Sequence, residues 1–272
     1  MSAAVSTSNF LNIVEPVIGS MLDGPLRESL RAAYVEETES LKTIEECFLL
    51  LTSKVHDAER LRIFFHCWAQ TNNSASSVAG LACRLTLSTK GLPKEDRLIY
   101  YRIVDSLQRI IDEDFGAHGE IMHADLYYRM ATGICGDDSW QSKRHQSPSS
   151  QEFRRWMLKL RLRDRKILNG LLFTLIHEVF THGEVELIHP MFQEWLPTHL
   201  GIPARDARKL LAWITVHTGG LETEHFGHAT NSVLDYCRAS GETVDPIAAK
   251  ELFTTYLRRK AAVMAEVIPG LR

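Results

Sequence analysis

No apolar run in this 272-residue sequence approaches the roughly 18 residues that a membrane-spanning helix requires. Membrane partners are therefore not expected. The N-terminal stretch MSAAVSTSNFLNIVEP carries no basic region followed by an apolar segment, so it does not read as a secretory signal. Neither sign of charge dominates, with 31 Lys and Arg against 34 Asp and Glu and a net charge of −3, which argues against general attraction to nucleic acid. Cysteine is scarce: five residues (47, 67, 83, 135, 237), odd in number, widely spaced and never in a CxxC pair. That usage excludes a disulfide frame and a cysteine zinc site, and predicts reduced thiols in a cytoplasmic protein. Strand-type alternation is nearly absent, and there is neither a fixed-period repeat nor a Gly-rich phosphate loop.

What is present is helical periodicity. PLRESLRAAYVEETESLKTIEECFLLLTSKV begins at Pro25 and DAERLRIFFHCWAQ at Asp57; PKEDRLIYYRIVDSLQRIIDEDFG runs from Pro93 to Gly116. EIMHADLYYRMATG follows to Gly133, and then the polar DDSWQSKRHQSPSS, which reads as the one long loop. A further helix is expected to end at Gly183 and another to open at Pro190. One long helix is expected from Pro203 to Gly241, and a last one from the Asp245–Pro246 cap. The expectation is an all-α fold, with residues 1–56 as an N-terminal helical extension packed on a bundle of residues 57–272.

Metal-ligand residue types recur at four places. DEDFG contains Glu113; MHADLYY supplies His123; the strongly apolar FTLIHEVF encloses Glu178; and WITVHTGGLETEHFGHATNSVLDY carries His217, Glu222, Glu224, His225 and His228 within twelve residues. Burying an unpaired polar group costs about 2–7 kcal/mol, so such a face is either wet or compensated by positive charge. Carboxylates and imidazoles from several helices of a bundle suit a pair of iron or manganese ions, because carboxylates neutralise and bridge the cations while neutral imidazole completes the sphere. Taken singly, most of these residues have simpler explanations: one of Asp112, Glu113 and Asp114 could face water, and His123 could pack on a tyrosine. Glu178 is the exception, since Leu171, Leu172, Phe173, Leu175, Ile176, Val179 and Phe180 surround it in sequence.

Two other patterns compete. His182, Glu186 and His189 would align on one continuous helix, but the expected break between Gly183 and Pro190 separates them. A ferritin-like pattern of two Glu-x-x-His pairs would use Glu120 with His123 and Glu222 with His225.

In order and spacing these motifs resemble the heme-oxygenase-like dimetal oxidases, over roughly residues 57–240. DEDFGAHGEIMHADLY matches that family's early Glu and His segment, GLLFTLIHEVF its middle glutamate, and WITVHTGGLETEH its late His-x3-Asp-x2-His motif. The resemblance implies a heme-oxygenase-like helical bundle with Glu113, His123, Glu178, His217, Glu222 and His225 as metal ligands. The late motif departs from the pattern, because position 221 is Leu. One extra residue taken up as a π-bulge, eased by Gly219 and Gly220, brings Glu222 and His225 into place; a regular helix would present His217, Glu224 and His228 instead.

The activity implied is that of an O2-dependent non-heme diiron oxidase of specialised metabolism. It would use two Fe(II)/Fe(III) ions and act on a small amino acid or amine by desaturation, cyclisation, C–C cleavage or N-oxygenation. A small-molecule substrate and an external electron donor are the implied partners, with room for a homodimer. Arg84, Arg102 or Arg109 could receive a substrate carboxylate. The alternatives are a metal-free relative of the fold, resembling thiaminase II or a quinone-cofactor synthase, or a non-enzymatic helical interaction protein. For the first, Cys135 and Cys237 are the thiols to weigh; for a heme-binding relative, His56 and His66 are the histidines. For the second, the candidate is the basic segment RRWMLKLRLRDRK, with seven cations in residues 154–166, which reads more simply as a solvated face.

Overall fold

The computed structural model describes residues 8–72, 74–117 and 121–272. Among them are thirteen α-helices and no strand, so the chain is all-α as expected. In chain order they are α1 (Asn9–Gly19), α2 (Pro25–Glu36), α3 (Thr38–Thr52), α4 (Ala58–Asn72), α5 (Ala75–Ser88), α6 (Lys94–Asp114), α7 (His123–Cys135), α8 (Pro148–Leu162), α9 (Ile167–Thr198), α10 (Ala204–Leu210), α11 (Ala212–Val216), α12 (Gly220–Ser240) and α13 (Pro246–Leu271). None of the described helices is long and apolar enough to cross a membrane.

Helix α9 is the axis of the bundle. It is buried on nearly every face from Leu168 to Leu196, which explains why its sequence is apolar all round rather than striped. Around it pack α12, α1, α8 and α13, while α6 lies against both α12 and α5. The N-terminal helices are part of this arrangement: α1 crosses α9, and α2 and α3 lie along α13, so one apolar core runs from Phe10 to Leu271. Local caps follow sequence chemistry. The Asp245 carboxylate accepts from the Ile247 and Ala248 amides at 2.9 and 3.4 Å, Ser147 caps α8, and Gly136 and Gly241 close α7 and α12 with positive φ of 84° and 71°.

Two expected boundaries are wrong. Helix α9 continues through both Gly183 and Pro190 as 32 residues. Gly183 is there for close packing rather than for a turn: a Cβ at this position would collide with the Phe10 ring and stand 2.6 Å from Val14 Cγ1, where α1 crosses. Pro190 lies on the exposed side, where its missing amide and altered packing are tolerated. Gly183→Ala should therefore destabilise the fold by about 1–3 kcal/mol through overpacking, read as a lower urea midpoint with an unchanged helical circular dichroism spectrum. An unchanged midpoint would show that α1 does not press on α9.

The second error concerns the expected helix from Pro203 to Gly241, which is three helices. α10 and α11 meet at Leu211, and the chain breaks again between Val216 and Gly220, with Gly219 at φ 78°. The polar segment before α8 is also less irregular than expected, with 3-10 turns at Asp138–Gln141 and Lys143–His145.

Candidate metal centre

The four motif segments converge where the C-terminus of α6, the N-terminus of α7, the middle of α9 and the α11–α12 junction meet. Two groups of three ligand types form there, each with its ligand atoms within 4.8 Å of one another: Asp114, His123 and His217, and Glu178, Glu222 and His225. Glu222 belongs to the second group and reaches the first. Its Oε1 lies 3.8 Å from His217 Nε2 and 3.8 Å from His225 Nδ1, and its Oε2 is buried without a hydrogen-bond partner.

Each imidazole is oriented by a second contact. His217 Nδ1–H donates to the Trp213 carbonyl at 2.6 Å, which leaves the Nε2 lone pair facing Glu222. His225 Nε2–H donates to Glu113 at 2.8 Å, turning Nδ1 toward Glu178 at 3.7 Å and Glu222. His123 Nδ1 lies 3.1 Å from Asp114 Oδ1, and the His123 and His217 rings stand edge to face at 4.5 Å.

Five of the six expected ligands, His123, Glu178, His217, Glu222 and His225, therefore sit in these groups. Glu113 does not: it contacts the outward nitrogen of His225, and its side chain is 36% exposed against 19% for Asp114, which takes the inner position. Helix phase explains this. Ile103, Leu107, Ile110 and Ile111 form the buried stripe of α6, and a step of seven from Leu107 lands on Asp114. That signal was present in the sequence and pointed one residue away from the family pattern.

The late motif also needs correction. No π-bulge accommodates the extra residue; a full break does, with Gly219 in the left-handed region and its amide donating to the Glu186 carboxylate at 2.6 Å. Glu222 and His225 then start a new helix in the right phase. Glu224 is exposed and His228 only half-buried. His182 and Glu186 do share α9 with His189, but His189 pairs with Gln193, and the three form no metal-ligand group. Glu120 lies outside the described residues.

Crowding of acids shapes the electrostatics. Burial pushes the Glu222 carboxyl well above its ordinary range; the His225 charge opposes this, and Glu178, Asp114 and Glu113 add to it. Burial disfavours the His225 imidazolium, yet the hydrogen bond to Glu113 and the nearby carboxylates of Glu178 and Glu222 outweigh it and raise the group to about 11. His217 goes the other way, pushed down to about 4 chiefly by burial and then by His123. Burial also opposes ionisation of Asp114, but the His123 hydrogen bond and the charges of His225 and His217 keep it below the usual range.

A cavity of about 400 Å³ opens onto Asp114, His123, Glu178, His217 and Glu222. Its remaining walls come from the α4–α5 junction (Ala69, Asn72, Ser74, Ser76), the first turns of α7, Trp140, His177, Thr181 and Trp213. His177 was not anticipated from sequence. Its Nδ1 meets the Tyr256 hydroxyl at 2.9 Å, and burial followed by the Arg161 charge keeps it neutral.

Several other expectations find no place in this cavity. Arg84 donates to the carbonyls of Arg161 and Asp164, while Arg102 and Arg109 are exposed on α6, Arg109 beside Asp105. Burial raises the Cys135 thiol to about 12 and also raises Cys237, the opposite of an activated nucleophile. His56 and His66 are held by the carbonyls of Leu50 and Trp140 and do not line the cavity. The basic segment belongs largely to α8, whose Phe153, Met157 and Leu160 are in the core. Its Arg161 is fully buried, bound to Thr174, Ser77 and the Ser74 carbonyl with the guanidinium 5.0 Å from the Phe173 ring. Compared with protein-family models, curated proteins and solved structures, the chain matches none.

Proposed function

We propose that the protein is a non-heme dimetal oxidase that couples reduction of dioxygen to oxidation of a small organic molecule. The observation that carries this reading is the meeting of two three-residue groups, each offering imidazole nitrogen and carboxylate oxygen, with Glu222 of one 3.8 Å from His217 of the other. The donor set fits two divalent first-row ions: there is no thiolate, so iron–sulfur chemistry is not supported, and mixed N/O ligation suits iron or manganese. The unpartnered, buried Glu222 Oε2 is a lone-pair donor that a cation would satisfy. The resemblance to the heme-oxygenase-like dimetal oxidases supports iron as the metal and an all-helical bundle as its scaffold.

On this reading Asp114, His123 and His217 would hold one ion and Glu178, Glu222 and His225 the other. Such a pair supplies dioxygen reduction, with electrons drawn from the substrate and from an external donor. The chain's own residues do the rest. Trp213 and Glu113 orient His217 and His225 by accepting from their outward N–H groups, so the inward nitrogens point at the buried carboxylates. The cavity would bring a small molecule against Asp114, His123, Glu178, His217 and Glu222. His177, fixed by Tyr256, offers its second nitrogen to that cavity as a neutral hydrogen-bonding group that can orient the substrate.

The test is anaerobic loading with Fe(II), metal analysis after desalting, and oxygen uptake with a reductant across an amine and amino-acid panel. Two irons per chain and substrate-dependent uptake are expected. A chain that retains no iron or manganese and consumes no oxygen would overturn the proposal in favour of a metal-free role.

A further inference from the structure

We propose that the cavity takes a primary amine on an apolar body and rejects free carboxylates, so that the substrate is an amine and not an amino acid. This inference rests on the oxidase reading only for what happens to the ligand; the binding preference stands on the cavity wall.

Every Lys and Arg of the chain falls within the described residues, and none of them lines the cavity. Arg161 is nearest in kind, but its side chain is 0% exposed and enclosed by Thr174, Ser77 and Phe173, so it presents no surface to a ligand. A carboxylate entering this space would meet Asp114, Glu178 and Glu222 with no lysine or arginine to pair with, and the nearby His225 is already engaged by Glu113 and faces Glu178 and Glu222, so the lost hydration would go uncompensated.

A cation meets the reverse. Asp125, in the first turn of α7, is exposed at the cavity wall and makes no ion pair among the described residues. The same cavity is lined by the rings of Tyr127, Tyr128, Trp140 and Trp213, with Tyr128 and Tyr127 at 6.2 and 5.8 Å from Trp140 and Tyr127 at 5.1 Å from Trp213. A carboxylate and aromatic rings lining one cavity favour an ammonium group on an apolar body. With the ammonium held near Asp125, the body of the ligand extends inward toward the two ligand groups. The volume of about 400 Å³ suits a small molecule.

Calorimetry with phenethylamine, phenylalanine and 3-phenylpropionate separates these cases, because the three share one ring and chain and differ in charge. Each is titrated into the metal-free protein and into protein loaded with redox-inert Zn(II). Phenethylamine should bind both forms, at least about tenfold more tightly than the other two, and Asp125→Asn should erase that advantage with zinc content and melting temperature unchanged. Equal or tighter binding of 3-phenylpropionate in either form, an amine preference that survives Asp125→Asn, or binding of none of the three would overturn the proposal. Amine binding by a protein that retains no metal would uphold it and overturn the oxidase reading instead.

Discussion

If the chain holds two metal ions as proposed, Glu178→Ala is expected to leave a folded chain that retains at most one of them and consumes no oxygen with any substrate. Glu178 is buried at the centre of α9, and its group has only Glu222 and His225 besides. Removing it leaves two protein ligands, too few to hold a divalent ion against water. The paired comparison is between Asp114 and Glu113. Asp114→Asn should cost the other ion, since it supplies the only carboxylate of that group. Glu113→Gln should keep both ions and weaken binding by about 10–100-fold, the usual effect of removing a group that orients a ligating histidine. Metal stoichiometry and competition with a chelator read all three variants. Full loss of an ion in Glu113→Gln with none in Asp114→Asn would return Glu113 to the ligand set.

The largest stability effect is expected away from the site. Lys260 and Glu184 are both fully buried, with Lys260 Nζ 3.4 Å from Glu184 Oε1, 3.0 Å from Thr71 Oγ1 and 2.8 Å from Asn72 Oδ1. Glu184 also accepts from Trp68 Nε1 and Asn72 Nδ2. Lys260→Met should cost about 3–5 kcal/mol, because it strands the Glu184 charge in the core, whereas Lys260→Met with Glu184→Gln should recover much of the loss. Lys260 carries a pH signature as well. Burial lowers it from the ordinary 10.5 to about 8, against the attraction of Glu184. Between those values the unfolded chain binds the proton that the folded chain has released, so stability gains from Lys260 as pH rises from about 8 to 10.5 and loses that gain as pH falls back through about 8. Denaturant midpoints over this range should climb less in Lys260→Met than in the parent. A parallel pH response would show that the lysine is not held in a low-dielectric site.

Composition and periodicity were enough to specify the class of fold and most of the residues that meet at the candidate centre. The 3.6-residue patterning, the Pro and Asp caps and the lack of strand alternation lead to helices directly, since these are local preferences. Glu178 stood out because a carboxylate inside a continuous apolar run has few neutral explanations. The stripe Ile103, Leu107, Ile110 and Ile111 likewise carried the information that Asp114, and not Glu113, faces inward.

Only the tertiary structure decided what depends on residues distant in sequence. Gly183 reads as a helix stop until α1 is seen crossing it, because a contact with Phe10 and Val14 is invisible to any local window. The break at Gly219 reads as a bulge until Glu186 of α9 is found accepting its amide. The wall of the cavity, free of lysine and arginine yet bearing Asp125 and the rings of Phe115, Tyr127, Tyr128, Trp140 and Trp213, is assembled from stretches as far apart in sequence as Ala69 and Glu222. Its charge is therefore a property of the packing, which no single stretch of the chain encodes.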